Sequence, residues 1–177
     1  MTRQENIKDI CFKLFEKNRA VFIGYNVLKG SRMYGTLAGI PERACVEMPC
    51  AESLMVGTAI GVSLEKSSLP VLCFERHEFA LFSLGLIAVM ADKFCSVTSN
   101  IKLPMVIRVI KGGKFPLNPG AQHCGNYEKV FKSSMPNSEF LFDWDNLNYK
   151  DVVTALAKSK SGIVVILEDK DGYSEEK

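Results

Sequence analysis

The order of apolar and polar residues divides the chain into two alternating kinds of segment. Short runs of apolar, often β-branched residues are typical of buried strands and cover residues 20–24, 44–48, 70–74, 104–110, 139–142 and 162–167. Segments with helical spacing lie between them and cover residues 4–16, 51–64, 79–94, 126–132 and 149–158. This alternation predicts an α/β fold: a single doubly wound, mostly parallel sheet of about six strands with helices on both faces.

The helix predicted over residues 79–94 is apolar on nearly every side. A helix of that kind is typically buried all round. On the surface of a monomer it would expose a large apolar patch, so we expect it to lie in a subunit interface. The alternative is a central helix of a lone domain.

Length and composition bound the domain organisation and the class of protein. The 177 residues fit one domain, which we expect over residues 1–168, with a polar, frayed tail over residues 169–177. The net charge is only +2 and the basic residues are scattered, which argues against nucleic-acid binding. No apolar run has the length of a membrane span, and the polar first residues are unlike a signal peptide.

The six cysteines indicate the cellular compartment of the protein, but they do not indicate its function. They contain no close pair suited to zinc, and several lie in or beside apolar runs, where a free cysteine behaves as a small hydrophobe. This favours the reducing cytoplasm over a disulfide scaffold. We expect no metal site within the chain itself.

Polar residues gather in the segments that follow the predicted strands. In open parallel sheets ligands bind outside the carboxyl ends of the strands, which here are followed by residues 49–52, residues 75–79 and a long irregular loop over residues 111–125. Both histidines of the chain, His77 and His123, fall in these segments. A binding or catalytic site is therefore expected at this edge.

Glu52 begins the helix predicted over residues 51–64, whose following turns are almost wholly apolar and small. No Lys or Arg lies in those turns to pair with the carboxylate, and burying an unpaired acid is costly. The side chain therefore either caps the helix or interacts with its dipole, or it is reserved for a ligand. The sequence leaves both interpretations open.

Four motifs together resemble a known family. They are Met48-Pro-Cys-Ala-Glu-Ser-Leu-Met-Val-Gly-Thr-Ala-Ile-Gly61, Leu103-Pro-Met-Val-Ile-Arg108, Gly120-Ala-Gln-His123 and Ala20-Val-Phe-Ile-Gly-Tyr-Asn-Val27. In order and spacing they are similar to the pyrimidine-binding domain of thiamine-diphosphate enzymes, most like the N-terminal half of the 2-oxoacid dehydrogenase beta subunit. Transketolase and deoxyxylulose-phosphate synthase are more distant. The resemblance spans roughly residues 4–168, and its motifs are specific as a set rather than singly.

The resemblance assigns roles to particular residues. It implies that Glu52 bonds the ring nitrogen of the cofactor's aminopyrimidine, with Cys50 beside the cofactor, and that Phe79 stacks on the pyrimidine. His123 is implied as an acid or base facing the reacting carbonyl, and we add His77 and Gln122 as candidate substrate contacts. The implied reaction is decarboxylation of a 2-oxoacid, or transfer of its acyl or ketol unit. The alternatives are a core aromatic for Phe79 and a solvated loop residue for His123.

Departures from the family pattern limit what this chain does alone. It has no Gly-Asp-Gly segment and no acidic cluster suited to Mg²⁺. The resemblance therefore implies that a separate diphosphate-binding subunit holds the diphosphate and Mg²⁺, in a hetero-oligomer of two plus two chains or a homodimer.

Four other positions also depart from the family pattern. Tyr25 and Asn26 replace acidic residues of the family, while Gly85 and Val89 replace an Asp and an Asn. These changes keep open a non-catalytic structural or regulatory homologue. A flavodoxin-like nucleotide binder is a third possibility, but the sequence has no glycine-rich phosphate loop after its first strand.

Overall fold

The computed structural model describes residues 1–115 and 118–175, and in this part of the chain six strands form one sheet. The strands are β1 (Ala20–Gly24), β2 (Cys45–Glu47), β3 (Leu69–Phe74), β4 (Met105–Lys111), β5 (Glu139–Phe142) and β6 (Ile163–Asp169). Their order is β2-β1-β3-β4-β6-β5, and every neighbouring pair is parallel. The predicted single parallel sheet is confirmed.

Helices cover both faces of this sheet, as the alternating pattern predicted. They are α1 (Arg3–Asn18), α2 (Glu52–Glu65), α3 (His77–Phe82), α4 (Leu84–Leu86), α5 (Phe94–Val97), α6 (Glu128–Ser134) and α7 (Tyr149–Lys158). Successive side chains of a strand point to opposite faces. In β3, Val71 therefore packs in the cluster formed with α1 and α7, whereas Leu72 packs in the cluster formed with α2, α3 and α6.

Short polar motifs begin the two helices on the first face. Thr2 accepts a hydrogen bond from the Glu5 amide, and the Glu5 carboxylate accepts one from the Thr2 amide, which makes a capping box at α1. Asn148 and Asp151 form the same reciprocal pair at α7. Both helices therefore start where local sequence satisfies the free amide groups.

The single helix predicted over residues 79–94 is wrong. After α3 the chain turns at Ser83, and α4 leads into a π-helical turn over Ile87–Asp92 before α5 begins. The turn ends at Asp92, a fully buried residue whose carboxylate accepts hydrogen bonds from Asn137 and Ser138. This tertiary anchor explains the wider winding, which local periodicity does not reveal.

The same segment is not enclosed within the single domain. Phe82 is 75% exposed, Val89 58% and Met90 52%. The alternative of a central helix buried inside one domain is therefore wrong. In the single chain these side chains form apolar surface that no other segment of the described chain packs against.

The C-terminal segment is ordered through Glu175, contrary to the expected frayed tail. Asp169 belongs to β6, and a 3₁₀ turn over Lys170–Gly172 follows it directly. Tyr173 is only 6% exposed, and the amide of Arg3 donates to the carbonyl of Glu175 at 3.2 Å. The segment packs because one aromatic residue in a polar stretch supplies a buried anchor. Residues 176–177 of the predicted tail lie outside the described part of the chain.

Among the described residues, no helix combines the length and apolar character needed to cross a membrane. The longest described helices, α1 and α2, span 16 and 14 residues. Crossing the hydrocarbon layer takes about 20 apolar residues in a helix.

Candidate functional site

The strand order creates a crevice at the carboxyl edge of the sheet, between β1 and β3. The chain leaves β1 toward β2 on one side and later returns to β3 on the other, so the loops after β1 and β3 diverge. Gly24 lets the two strands meet closely there, because a Cβ on this residue would lie 2.6 Å from the carbonyl oxygen of Cys73. Tyr25 follows β1, residues 75–79 follow β3, and α2 begins nearby.

Glu52 is the first residue of α2 and does not cap it. The N-cap residue is Ala51, and no side chain caps the helix. The Glu52 side chain is half-buried, and no N–H or O–H group of the described residues donates to its carboxylate. The capping interpretation is therefore wrong, and the carboxylate lies in the favourable field of the helix N-terminus.

Phe79 and His123 meet at this edge, and Tyr25 joins them. The ring centroids of Phe79 and His123 are 5.8 Å apart, and those of Tyr25 and Phe79 are 5.6 Å apart, both in edge-to-face geometry. Burial and the charge of Glu75 raise the pKa of Tyr25 well above its usual range, so its phenol stays protonated. Tyr25 is the member of this aromatic cluster that sequence reasoning did not place in the site.

His77 lies beneath this edge and does not join the aromatic cluster. It is 2% exposed, its Nδ1 accepts a hydrogen bond from the Tyr127 amide at 3.1 Å, and its ring contacts Phe131. Burial, followed by the charge of Lys111, lowers the pKa of His77 to about 4. The ring is therefore neutral, with its proton on Nε2.

The Nε2 atom of His77 has no partner among the described residues. His77 lines a cavity of about 20 Å³ together with Lys111, Asn126 and Glu128. That volume is sufficient for a single water molecule and far too small for a substrate.

The long loop after β4 is fastened at both of its described ends. The amides of Lys114 and Phe115 donate to the carboxylate of Asp171, which follows β6. The amide of Gly125 donates to Oε1 of Glu78 at 2.6 Å. His123 is therefore carried by a segment that hydrogen bonds to Asp171, which follows β6, and to Glu78, which lies in α3.

Gln122 and Cys50 are both exposed at this edge. Gln122 lies in the 3₁₀ turn over Ala121–His123, immediately before His123. Cys50 lies two residues before Glu52, and it is one of six cysteines that carry no disulfide. Within residues 1–115 and 118–175, no three His, Cys, Asp or Glu side chains are placed to share a metal ion.

Two glutamates shape the loop after β1. Glu47, at the end of β2, accepts hydrogen bonds from the amides of Asn26 and Leu28, each at 2.7 Å. Glu75 accepts from the Asn26 side chain at 3.0 Å and from the Ser31 hydroxyl at 2.7 Å. The sequence shows an acid at the end of β2 and another directly after β3. It does not show the hydrogen-bond partners of these acids, which lie many residues away in the chain.

Comparison with known proteins adds no family assignment. No family model matches the chain, and no curated protein matches it significantly.

Proposed function

We propose that this chain is the pyrimidine-binding subunit of a split thiamine-diphosphate-dependent enzyme. It acts on a 2-oxoacid or a ketose, by decarboxylation or by acyl or ketol transfer, together with a separate diphosphate-binding subunit. The observation that carries the proposal is the Glu52 carboxylate at the carboxyl edge, half-buried and without a donor in the described chain. A carboxylate in that position is available to a ligand.

The residues of this edge fit the pyrimidine half of such a site. When bound, the cofactor supplies a nucleophilic carbon and an electron sink. Glu52 holds a proton shared with the pyrimidine ring nitrogen, and exclusion of water by a partner strengthens that hydrogen bond. Phe79 supplies an aromatic platform, and Cys50 lies two residues before the start of α2, where it is exposed to a bound cofactor. His123, in contact with the Phe79 ring, moves a proton on the substrate side.

An exposed apolar surface supports the need for a second chain. Exposed apolar or small residues lie on two segments, at Leu54, Gly57 and Gly61 on α2 and at Phe82, Val89 and Met90 between residues 82 and 90. A Cβ on Gly57 or Gly61 would meet nothing within 4 Å, so packing within the chain does not require these glycines. Small residues of this kind permit close approach of another backbone, and the partner that covers them brings the diphosphate and Mg²⁺ ligands.

The decisive experiment uses the companion chain. A chain from an adjacent reading frame that contains Gly-Asp-Gly is mixed with this one, and the mixture is titrated with thiamine diphosphate and Mg²⁺. We expect saturable binding in the mixture and in neither chain alone. Glu52→Gln should lower turnover by at least about 100-fold, the usual size of an acid–base contribution.

Glu65→Gln is the matched control, because Glu65 is exposed at the other end of α2. It should leave turnover unchanged. Undiminished turnover in Glu52→Gln would contradict the proposed role of Glu52.

A structural or regulatory homologue is the second candidate. The observation that favours it is the contact of Tyr25 with Phe79, because Tyr25 stands where the family carries an acid and touches the proposed platform. A mixture that forms a stable complex but binds no thiamine diphosphate would make this the better account.

A further inference from the structure

Arg76 has no ion-pair partner, although acidic residues lie on both sides of it in the sequence. The described residues contain six ion pairs, and Arg76 belongs to none of them. Its Nη1 atom is buried and makes no hydrogen bond. Its guanidinium carbon lies 5.9 Å from the centre of the Tyr34 ring. The residue as a whole is half-buried, but a buried charged donor atom that makes no hydrogen bond is costly, so the arrangement requires an explanation.

The neighbouring glutamates are engaged elsewhere. Both oxygens of Glu75 accept hydrogen bonds, one from Asn26 and one from Ser31. Oε1 of Glu78 accepts from the Gly125 amide, while its Oε2 is buried without a partner. Glu75 and Glu78 therefore accept hydrogen bonds from loop residues, and neither forms an ion pair with Arg76. The guanidinium is available to another anion.

The guanidinium lies beside the loop that carries His123. A Cβ on Gly112 would lie 2.3 Å from Nη1 of Arg76 and 1.8 Å from the carbonyl oxygen of His123, so all three groups converge on one spot. Nδ1 of His123 is also buried without a partner, and the His123 ring contacts Phe79. Two buried polar atoms without hydrogen-bond partners thus lie close to the aromatic cluster.

We propose that Arg76 binds the carboxylate of the substrate, which makes the substrates 2-oxoacids rather than ketoses. The identity of the reacting molecule rests on the proposed function, whereas the anion site is carried by the geometry of this chain alone. A guanidinium presents a planar fork of donors that matches a carboxylate. The unpartnered oxygen of Glu78 opposes dianions, so a monoanionic carboxylate is favoured over phosphate.

The test is a titration of the isolated, ¹⁵N-labelled full chain, followed by the amide resonances of Gly112, Cys124 and Gly125. The probes are pyruvate, hydroxyacetone and inorganic phosphate. Hydroxyacetone keeps the ketone of pyruvate and replaces the carboxylate by a hydroxymethyl group. We expect a saturable response to pyruvate and a response at least tenfold weaker to each of the other two, since the charged contact is lost or opposed.

Arg76→Gln should weaken the pyruvate response at least tenfold, and Arg76→Lys should keep part of it because the charge remains. Arg43→Gln is the matched control. Arg43 is exposed, lies 5.8 Å from the centre of the Phe15 ring, and precedes β2 at the opposite edge of the sheet. This control should bind pyruvate as the unaltered chain does.

Three results would overturn the Arg76 proposal: no saturable response to pyruvate, an equal response to hydroxyacetone, or an unchanged response in Arg76→Gln. If Arg76→Gln does not fold, Arg76→Lys decides, and wild-type affinity in that variant counts against a forked contact. The titration contains neither cofactor nor partner. A positive result beside a mixture that fails to bind thiamine diphosphate would therefore overturn the proposed function and leave the anion site standing.

Discussion

Arg108 and Glu168 form a doubly hydrogen-bonded ion pair in the interior, between β4 and β6. Nε of Arg108 lies 2.7 Å from Oε1 of Glu168, Nη2 lies 2.7 Å from Oε2, and the side chains are 1% and 0% exposed. The pair also binds three distant segments, through Cys11 on α1, Thr36 and the hydroxyl of Tyr173. Arg108, the last residue of one of the four motifs, is therefore a buried residue that stabilises the fold by linking β4, β6 and α1.

Removing the charge of Glu168 should destabilise the chain strongly. Glu168→Gln leaves the Arg108 guanidinium buried without a counter-ion, which should lower the free energy of unfolding by about 3–5 kcal/mol. Tyr173→Phe removes one hydrogen bond to the same carboxylate and should cost about 1 kcal/mol. Urea denaturation of both variants measures the difference. A smaller loss of unfolding free energy in Glu168→Gln than in Tyr173→Phe would show that the ion pair contributes little to stability.

Asp143 should make stability depend on pH. Burial, followed by the charge of Glu168, raises its pKa from 3.8 to about 7. The folded state therefore holds its proton more tightly than the unfolded state, so its contribution is full below pH 3.8 and is lost as the pH rises through 7. Asp143→Asn should remove this loss and gain stability relative to the unaltered chain between pH 4.5 and pH 8. Denaturation across that range tests it, and a constant difference would contradict the assignment.

Asp171 should order the first part of the loop that leads to His123. Asp171→Ala removes the acceptor of the Lys114 and Phe115 amides, so their hydrogen exchange should accelerate by about tenfold. Asp145→Ala is the control, because Asp145 is exposed and lies after β5. Equal exchange rates in the two variants would mean that Asp171 does not order the loop.

Phe82 should matter for association and little for folding. A side chain that is 75% exposed contributes little to the core, so Phe82→Lys should change the free energy of unfolding of the lone chain by less than about 0.5 kcal/mol. The same change should prevent assembly with the companion chain in sedimentation experiments. Phe12→Lys, on α1 and 42% exposed, is the control that should still assemble. Assembly retained in Phe82→Lys would place the interface elsewhere.

Substitution of Gly57 should stabilise the lone chain and weaken its association with the companion chain. A Cβ there meets nothing within 4 Å, so Gly57→Ala should stabilise the lone chain by about 0.5–1 kcal/mol through helix propensity. We expect weaker assembly, because the methyl group separates the two backbones. Unchanged affinity for the companion chain would show that no close approach occurs at Gly57.

Local pattern was sufficient for the strands and for most helices. The predicted bounds of β1 and β5 agree with the structure, and β6 runs two residues beyond its predicted end at residue 167, to Asp169. The pattern failed over residues 79–94, where hydrogen bonds from Asn137 and Ser138 to Asp92 determine the winding. It also failed at the tail, where the Tyr173 hydroxyl reaches Glu168 in the interior. Both failures involve contacts that hydrophobic periodicity does not encode.

The sequence by itself determined the parallel α/β fold and the edge where Glu52, Phe79 and His123 would lie, because strand and helix periods are local properties. Only the tertiary structure decided which polar groups meet. It buried His77 against Tyr127, left the Glu52 carboxylate without a donor, and diverted Glu75 and Glu78 away from Arg76. Those outcomes depend on backbone paths that bring together residues far apart in the chain, and hydrogen-bond geometry is decided only once those paths are fixed.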